Sequence, residues 1–189
     1  MSENKIYLET DHPMRRVILG KVVVNMAVGE SGERLANAAK VLEQLTGQKP
    51  SFRKAKRTIK EFGVRKGENI ACMVTLRGAR AYEFLKKALE AVDYEINESS
   101  IDEFGNFAFG VKEHIYLPGV KYDPNIGIFG FDVIVTLERP GYRVQRRRRG
   151  RARIPRRHRV NKEEAVEFIT KVLGAKLVKK RVVRSRWGR

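Results

Sequence analysis

Ten arginines stand between residues 143 and 159 with no acid among them. Guanidinium groups at that density pair bidentately with phosphate and stack on flat rings. Segment 139–159 holds eleven arginines in all, and 176–189 adds seven Lys or Arg, again with no acid. Those eighteen equal the formal net charge of +18, since the rest of the chain carries 22 basic and 22 acidic residues. A charge-balanced body therefore bears two cationic segments that repel themselves unless a polyanion neutralises them. The arginine run lacks the apolar helical face that lies in a bilayer interface, which favours nucleic acid over lipid as that polyanion. A third basic stretch, Gln48 to Lys66, has eight Lys or Arg against the single acid Glu61.

Residue types suited to catalysis are sparse. The three histidines, His12, His114 and His158, are far apart, and Glu113-His114 has no nucleophile or oxyanion motif near it. There is no Walker loop, no Gly-rich dinucleotide fingerprint and no His-Glu-x-x-His. The acids Glu90, Asp93, Glu95, Glu98, Asp102 and Glu103 lack the spacing of a calcium loop and read as a solvated face. One cysteine, Cys72, falls on an apolar strand face, so no disulfide framework is expected. No cofactor and no metal is implied. No apolar run approaches the ~20 residues of a membrane helix, and Met1 to His12 is polar, so a cytoplasmic, soluble protein is expected.

The elements that must position these charges follow from periodicity. Ile70, Cys72, Val74 and Leu76 alternate with Ala71, Met73, Thr75 and Arg77, a strand with one apolar face, broken at Gly78. Residues 17–28 form a β-branched strand with Val22, Val24, Met26 and Val28 on one face. Phe107, Phe109 and Val111 mark a third strand and Phe131, Val133, Val135 and Leu137 a fourth; a short strand at 51–54 is possible. Helical spacing predicts a helix from Ser31 as N-cap to Gly47, a second through Ala81–Val92, and a third from the capping box Asn161/Glu164 to Gly174. The expected fold is α+β: four or five mainly antiparallel strands with helices on one face and the other face open. The chain divides into a leader at 1–13, one domain at 14–175 with basic loops at 53–68 and 139–160, and a basic tail at 176–189.

On the open face the pattern places Asn25, Ala27, Thr75, Arg77, Ala108, Gly110 and Thr136. Small and hydrogen-bonding side chains allow close approach to the shallow minor groove and displaced loops of RNA. By pattern alone Asn25 and Thr75 are equally well an ordinary solvated sheet face. Phe107 and Phe109 are expected in the core rather than as a base-stacking pair.

Five segments in order carry a resemblance: Val-Val-Val-Asn-Met-Ala-Val-Gly-Glu (22–30), Leu-Thr-Gly-Gln-Lys-Pro (45–50), Lys-Ala-Lys (54–56), Val-Thr-Leu-Arg-Gly (74–78) and Gly-Asn-Phe-Ala-Phe-Gly-Val-Lys-Glu (105–113). Together they resemble the family of the large-ribosomal-subunit protein number five, which binds 5S ribosomal RNA. His12-Pro13-Met14-Arg15, Tyr122-Asp123-Pro124-Asn125-Ile126-Gly127-Ile128 and the arginine run resemble its archaeal and eukaryotic branch. The resemblance implies a helix-backed antiparallel sheet whose face grips 5S RNA through Asn25, Gln48, Thr75 and Arg77. It also implies that the loop at about 55–68 is a finger reaching the peptidyl-site transfer RNA, with Lys54, Lys56, Arg57, Arg65 and Lys66 on phosphates. An inter-subunit bridge to a small-subunit head protein belongs to the same set of expectations. Bacterial relatives usually have Gly at the position of Ala27 and lack both the arginine run and the tail. For Arg146, Arg147, Arg148, Arg149, Arg151, Arg153, Arg156 and Arg157, and for the tail, the expectation is a clamp on large-subunit RNA. Two other classes fit the charge: an RNA-modifying or remodelling enzyme, and a sequence-tolerant nucleic-acid packaging protein.

Overall fold

A computed structural model describes residues 7–8, 10, 12–120 and 122–179. In chain order the regular elements are β1 (Tyr7–Leu8), β2 (Val17–Ala27), α1 (Glu33–Thr46), β3 (Ser51–Lys54), β4 (Asn69–Leu76), α2 (Ala79–Glu90), β5 (Glu95–Asn97), β6 (Phe107–Val111), β7 (Phe131–Glu138), α3 (Arg143–Arg146), α4 (Lys162–Lys171) and β8 (Lys176–Val178). The main sheet runs β3-β4-β2-β7-β6, all antiparallel, with β1 added against the start of β2. This is the expected α+β architecture, an open sheet with helices on one face.

Alternation explains which face is covered. Val22, Val24 and Met26 of β2, Cys72, Val74 and Leu76 of β4, Phe107 of β6, and Val133, Val135 and Leu137 of β7 are all buried. They share one core with Leu35, Ala38 and Leu42 of α1, Phe84, Leu85 and Leu89 of α2, and Phe168 and Ile169 of α4. Each buried Val, Leu, Ile, Met or Phe among them contributes about 1.5–3 kcal/mol relative to exposure, so the apolar face dictates both register and helix placement. Phe107 lies in the core as expected, and Phe109 packs against it half-buried. Cys72 is fully buried; burial pushes its thiol up to about 11, so it stays protonated and unreactive at neutral pH.

Two local expectations change. Gly32, not Ser31, occupies the N-cap of α1, because the Ser31 hydroxyl donates instead to the Glu68 carboxylate. Lys176–Val178, within the segment read as tail, pair in parallel with Glu95–Asn97. The rest of the tail from Lys180 and most of the leader lie outside the described residues. The capping box of α4 is present as expected: Asn161 N–H donates to the Glu164 carboxylate at 3.1 Å.

Candidate nucleic-acid interface

The uncovered face is built from the cross-strand rows that β-pairing dictates. Asn25 stands between Met73 of β4 and Asp132 of β7, and Thr75 pairs with Val23, which pairs with Ile134. Lys21 pairs with Thr136, and Ala108 and Gly110 of β6 lie opposite Ile134 and Asp132. Thr75 and Gly110 are exposed, and Asn25, Ala108 and Thr136 are half-buried. The face is less bare than the sequence reading had it. Val23, Met73 and Ile134 form a half-buried apolar band across its centre, and Asp132 adds an exposed carboxylate beside Gly110.

Arg77 follows β4 directly and is exposed; its guanidinium donates to the carbonyl of Gly20 at 3.4 Å. The register of β2 against β7 shifts between Leu19 and Lys21, so Gly20 stands at a break in that ladder. Gly78, at φ +63°, then turns the chain straight into α2, which fixes Arg77 at the sheet's end. The structure thus brings Asn25, Thr75 and Arg77 onto one face and its rim. Gln48, between α1 and β3, is half-buried, and its N–H donates to the Thr46 hydroxyl at 3.4 Å.

The basic loop between β3 and β4 is a hydrogen-bonded hairpin rather than loose chain. Ala55 N–H donates to the Glu68 carbonyl at 2.8 Å, and Ile59 and Val64 exchange backbone bonds at 2.9 and 3.2 Å. Lys54, Lys56, Arg57, Arg65 and Lys66 are all exposed along it. The Ser31 hydroxyl, then the Arg65 N–H, hold the Glu68 carboxyl below the usual carboxylate range. A depressed carboxyl stabilises the folded loop at neutral pH, and that contribution is lost as pH falls through its folded value. Phe62, 75% exposed, and Ile59 sit near the tip beside an apolar groove of about 730 Å³. Sequence reading counted only the charges of this loop and passed over both apolar residues.

At the opposite end of β2 the arginine segment is a folded lobe rather than a loop. Its first arginine, Arg139, is buried and paired with Glu164 of α4. Ile154 and Val160 are buried beneath it. The Tyr142 hydroxyl donates to the His158 carbonyl at 3.4 Å and accepts from Val160 N–H at 3.3 Å. Burial pushes the Tyr142 hydroxyl above its ordinary value. Arg146 is paired with Glu138, and Arg147 Nε donates to the Gly150 carbonyl at 2.7 Å. Arg148, Arg149, Arg151, Arg153, Arg156 and Arg157 are exposed on the outside. The His114 ring, next to Glu113 in sequence, is buried and accepts from the Phe129 N–H at 3.3 Å, a structural bond.

From Lys21, near the lobe, to Ala27, near the hairpin, β2 rises about 20 Å. The uncovered face is therefore flanked by a cationic element at each end. Fold and surface together define an α+β scaffold protein whose exposed chemistry is cationic.

Comparison with known proteins agrees. Residues 12–65 match the family model of ribosomal protein L5, and residues 69–168 match the model of that family's C-terminus. The chain is 62% identical over 167 residues to the large ribosomal subunit protein uL5 of Aeropyrum pernix, covering 88% of this chain and 87% of that one. It is 59% identical over 162 residues to the uL5 of Sulfurisphaera tokodaii (85% and 92% covered), and 53% identical over 176 residues to that of Pyrobaculum aerophilum (93% and 98%). The chain belongs to the ribosomal protein L5 family. It is accordingly a structural, non-enzymatic component of the large ribosomal subunit in the cytoplasm, with ribosomal RNA and ribosomal proteins as partners. No described helix is long and apolar enough to cross a membrane.

Proposed function

We propose that this protein binds 5S ribosomal RNA on its uncovered sheet face and anchors it within the large subunit. The observation that carries the reading is the juxtaposition of Asn25, Thr75 and Arg77 on a helix-backed sheet flanked at both ends by cationic elements. A preformed sheet reads RNA shape through hydrogen bonds and close approach, while Lys and Arg supply salt-dependent affinity through counterion release. Gln48, on the β3 side, extends the same contact. The hairpin with Lys54, Lys56, Arg57, Arg65 and Lys66 extends beyond the β3–β4 end of the sheet, where exposed cations suit the backbone of peptidyl-site transfer RNA. The arginine lobe clamps large-subunit RNA, and a bridge to a small-subunit head protein completes the set of partners.

Arg77→Ala is expected to weaken 5S RNA binding by about 1–3 kcal/mol, the range of a lost charge-assisted contact. Filter binding at fixed salt measures it. Arg77 is exposed and its bond to Gly20 is long, so the fold should persist. An unchanged Kd would remove the rim of β4 from the interface.

A further inference from the structure

Between the sheet, the arginine lobe and the turn before β6 lies a polar cleft of about 660 Å³, separate from Asn25, Thr75 and Arg77. Its floor is the cross-strand pair Lys21 and Thr136. One wall is the turn 102–106, which is held rigid. The Asp102 carboxylate accepts from Phe104 N–H at 2.9 Å, from Asn106 N–H at 2.7 Å and from the Asn106 amide at 2.7 Å. Gly105, at φ +76°, packs so closely that an added Cβ would lie 2.6 Å from a Val160 methyl. This turn presents Phe104 with 48% of its surface exposed, and the Arg159 guanidinium sits 5.3 Å from its ring centre. The other wall brings Arg146 and Arg151 from the lobe.

The lining has a consistent chemistry. Four cations, Lys21, Arg146, Arg151 and Arg159, face one carboxylate, Glu138, which Arg146 already pairs. A flat ring and a guanidinium are stacking surfaces for a nucleobase, and Asn106 and Thr136 can bond to its edge. The volume falls within that of sites for small organic ligands. We propose that this cleft holds a single unstacked nucleotide of a bound RNA, its base on Phe104 and its phosphate against Lys21 and Arg151. The inference rests on the RNA-binding reading and extends it, because a shape-reading sheet needs no displaced base.

The test uses the full chain and two RNA hairpins identical except for one bulged adenosine, with 2-aminopurine at the bulge in a parallel sample. Binding should favour the bulged hairpin by about 5- to 150-fold, the worth of one base stacked on an aromatic ring, and should change the 2-aminopurine fluorescence. Phe104→Ala should abolish both the preference and the fluorescence change without altering affinity for the perfect duplex, and Phe104→Tyr should retain them. Equal affinity for the two hairpins, or a preference that survives Phe104→Ala, overturns the cleft while leaving RNA binding intact. Failure to bind either hairpin at low salt overturns the RNA-binding reading along with it.

Discussion

Glu164→Ala is expected to lower the free energy of unfolding by about 3–5 kcal/mol, the cost of leaving a buried charge without its partner. The partner is Arg139, only 6% exposed, whose guanidinium donates to the Glu164 carboxylate. The same carboxylate accepts from Asn161 N–H at 3.1 Å and closes the cap of α4, so one substitution removes two interactions. In a domain of this size the loss corresponds to a fall in Tm of roughly 10 °C. Replacing both partners, as in Arg139→Met with Glu164→Leu, should restore most of the stability, since a packed apolar pair needs no counter-charge. Urea unfolding of both variants beside the parent protein measures each contribution. A loss below about 1 kcal/mol for Glu164→Ala would mean that water solvates the pair and that Tyr142, Ile154 and Val160 alone hold the lobe.

The second large effect concerns affinity rather than stability. Arg148, Arg149, Arg153, Arg156 and Arg157 are exposed, so replacing all five with glutamine should leave the fold intact. If each neutralises one phosphate, the slope of log affinity against log salt falls by about 0.7–0.9 per residue, or roughly 3.5–4.5 in all. Because that effect vanishes near 1 M salt, the loss at 0.1 M is on the order of ten-thousand-fold. Preference for 5S RNA over a generic duplex should survive, because the sheet face is untouched. A binding isotherm series in potassium chloride measures slope and preference together. An unchanged slope would show that the lobe faces away from RNA.

The parts of this fold legible in sequence were those set by local period and by residue chemistry at element ends. Alternation fixed β2, β4, β6 and β7, and the Asn161/Glu164 pair marked the start of α4. What escaped depends on contacts between distant residues. The lobe read as a loop because the pairing that folds it joins Arg139 to Glu164, 25 residues on. Ser31 read as a cap because its true partner, Glu68, is 37 residues away. The pairing of Lys176–Val178 with β5 was hidden by a charge run that read as tail.

The candidate site divides the same way. Asn25, Thr75 and Thr136 followed from strand parity, whereas the anchoring of Arg77 needs the register break at Gly20, which parity does not show. The apolar band of Val23, Met73 and Ile134 was present in the alternation and was passed over in favour of polar residues on the same face. Phe104 could not be found from sequence. Its exposure comes from the Asp102 turn and from the contact of Gly105 with Val160, 55 residues along the chain.

The most direct measurement is binding of the purified protein to 5S RNA across a salt series, with a generic RNA duplex as competitor. The sheet-face account predicts a preference for 5S RNA that persists at high salt, after counterion release has faded. Affinities that collapse together for both RNAs would contradict it and leave only the charge of the lobe and hairpin as the basis of binding.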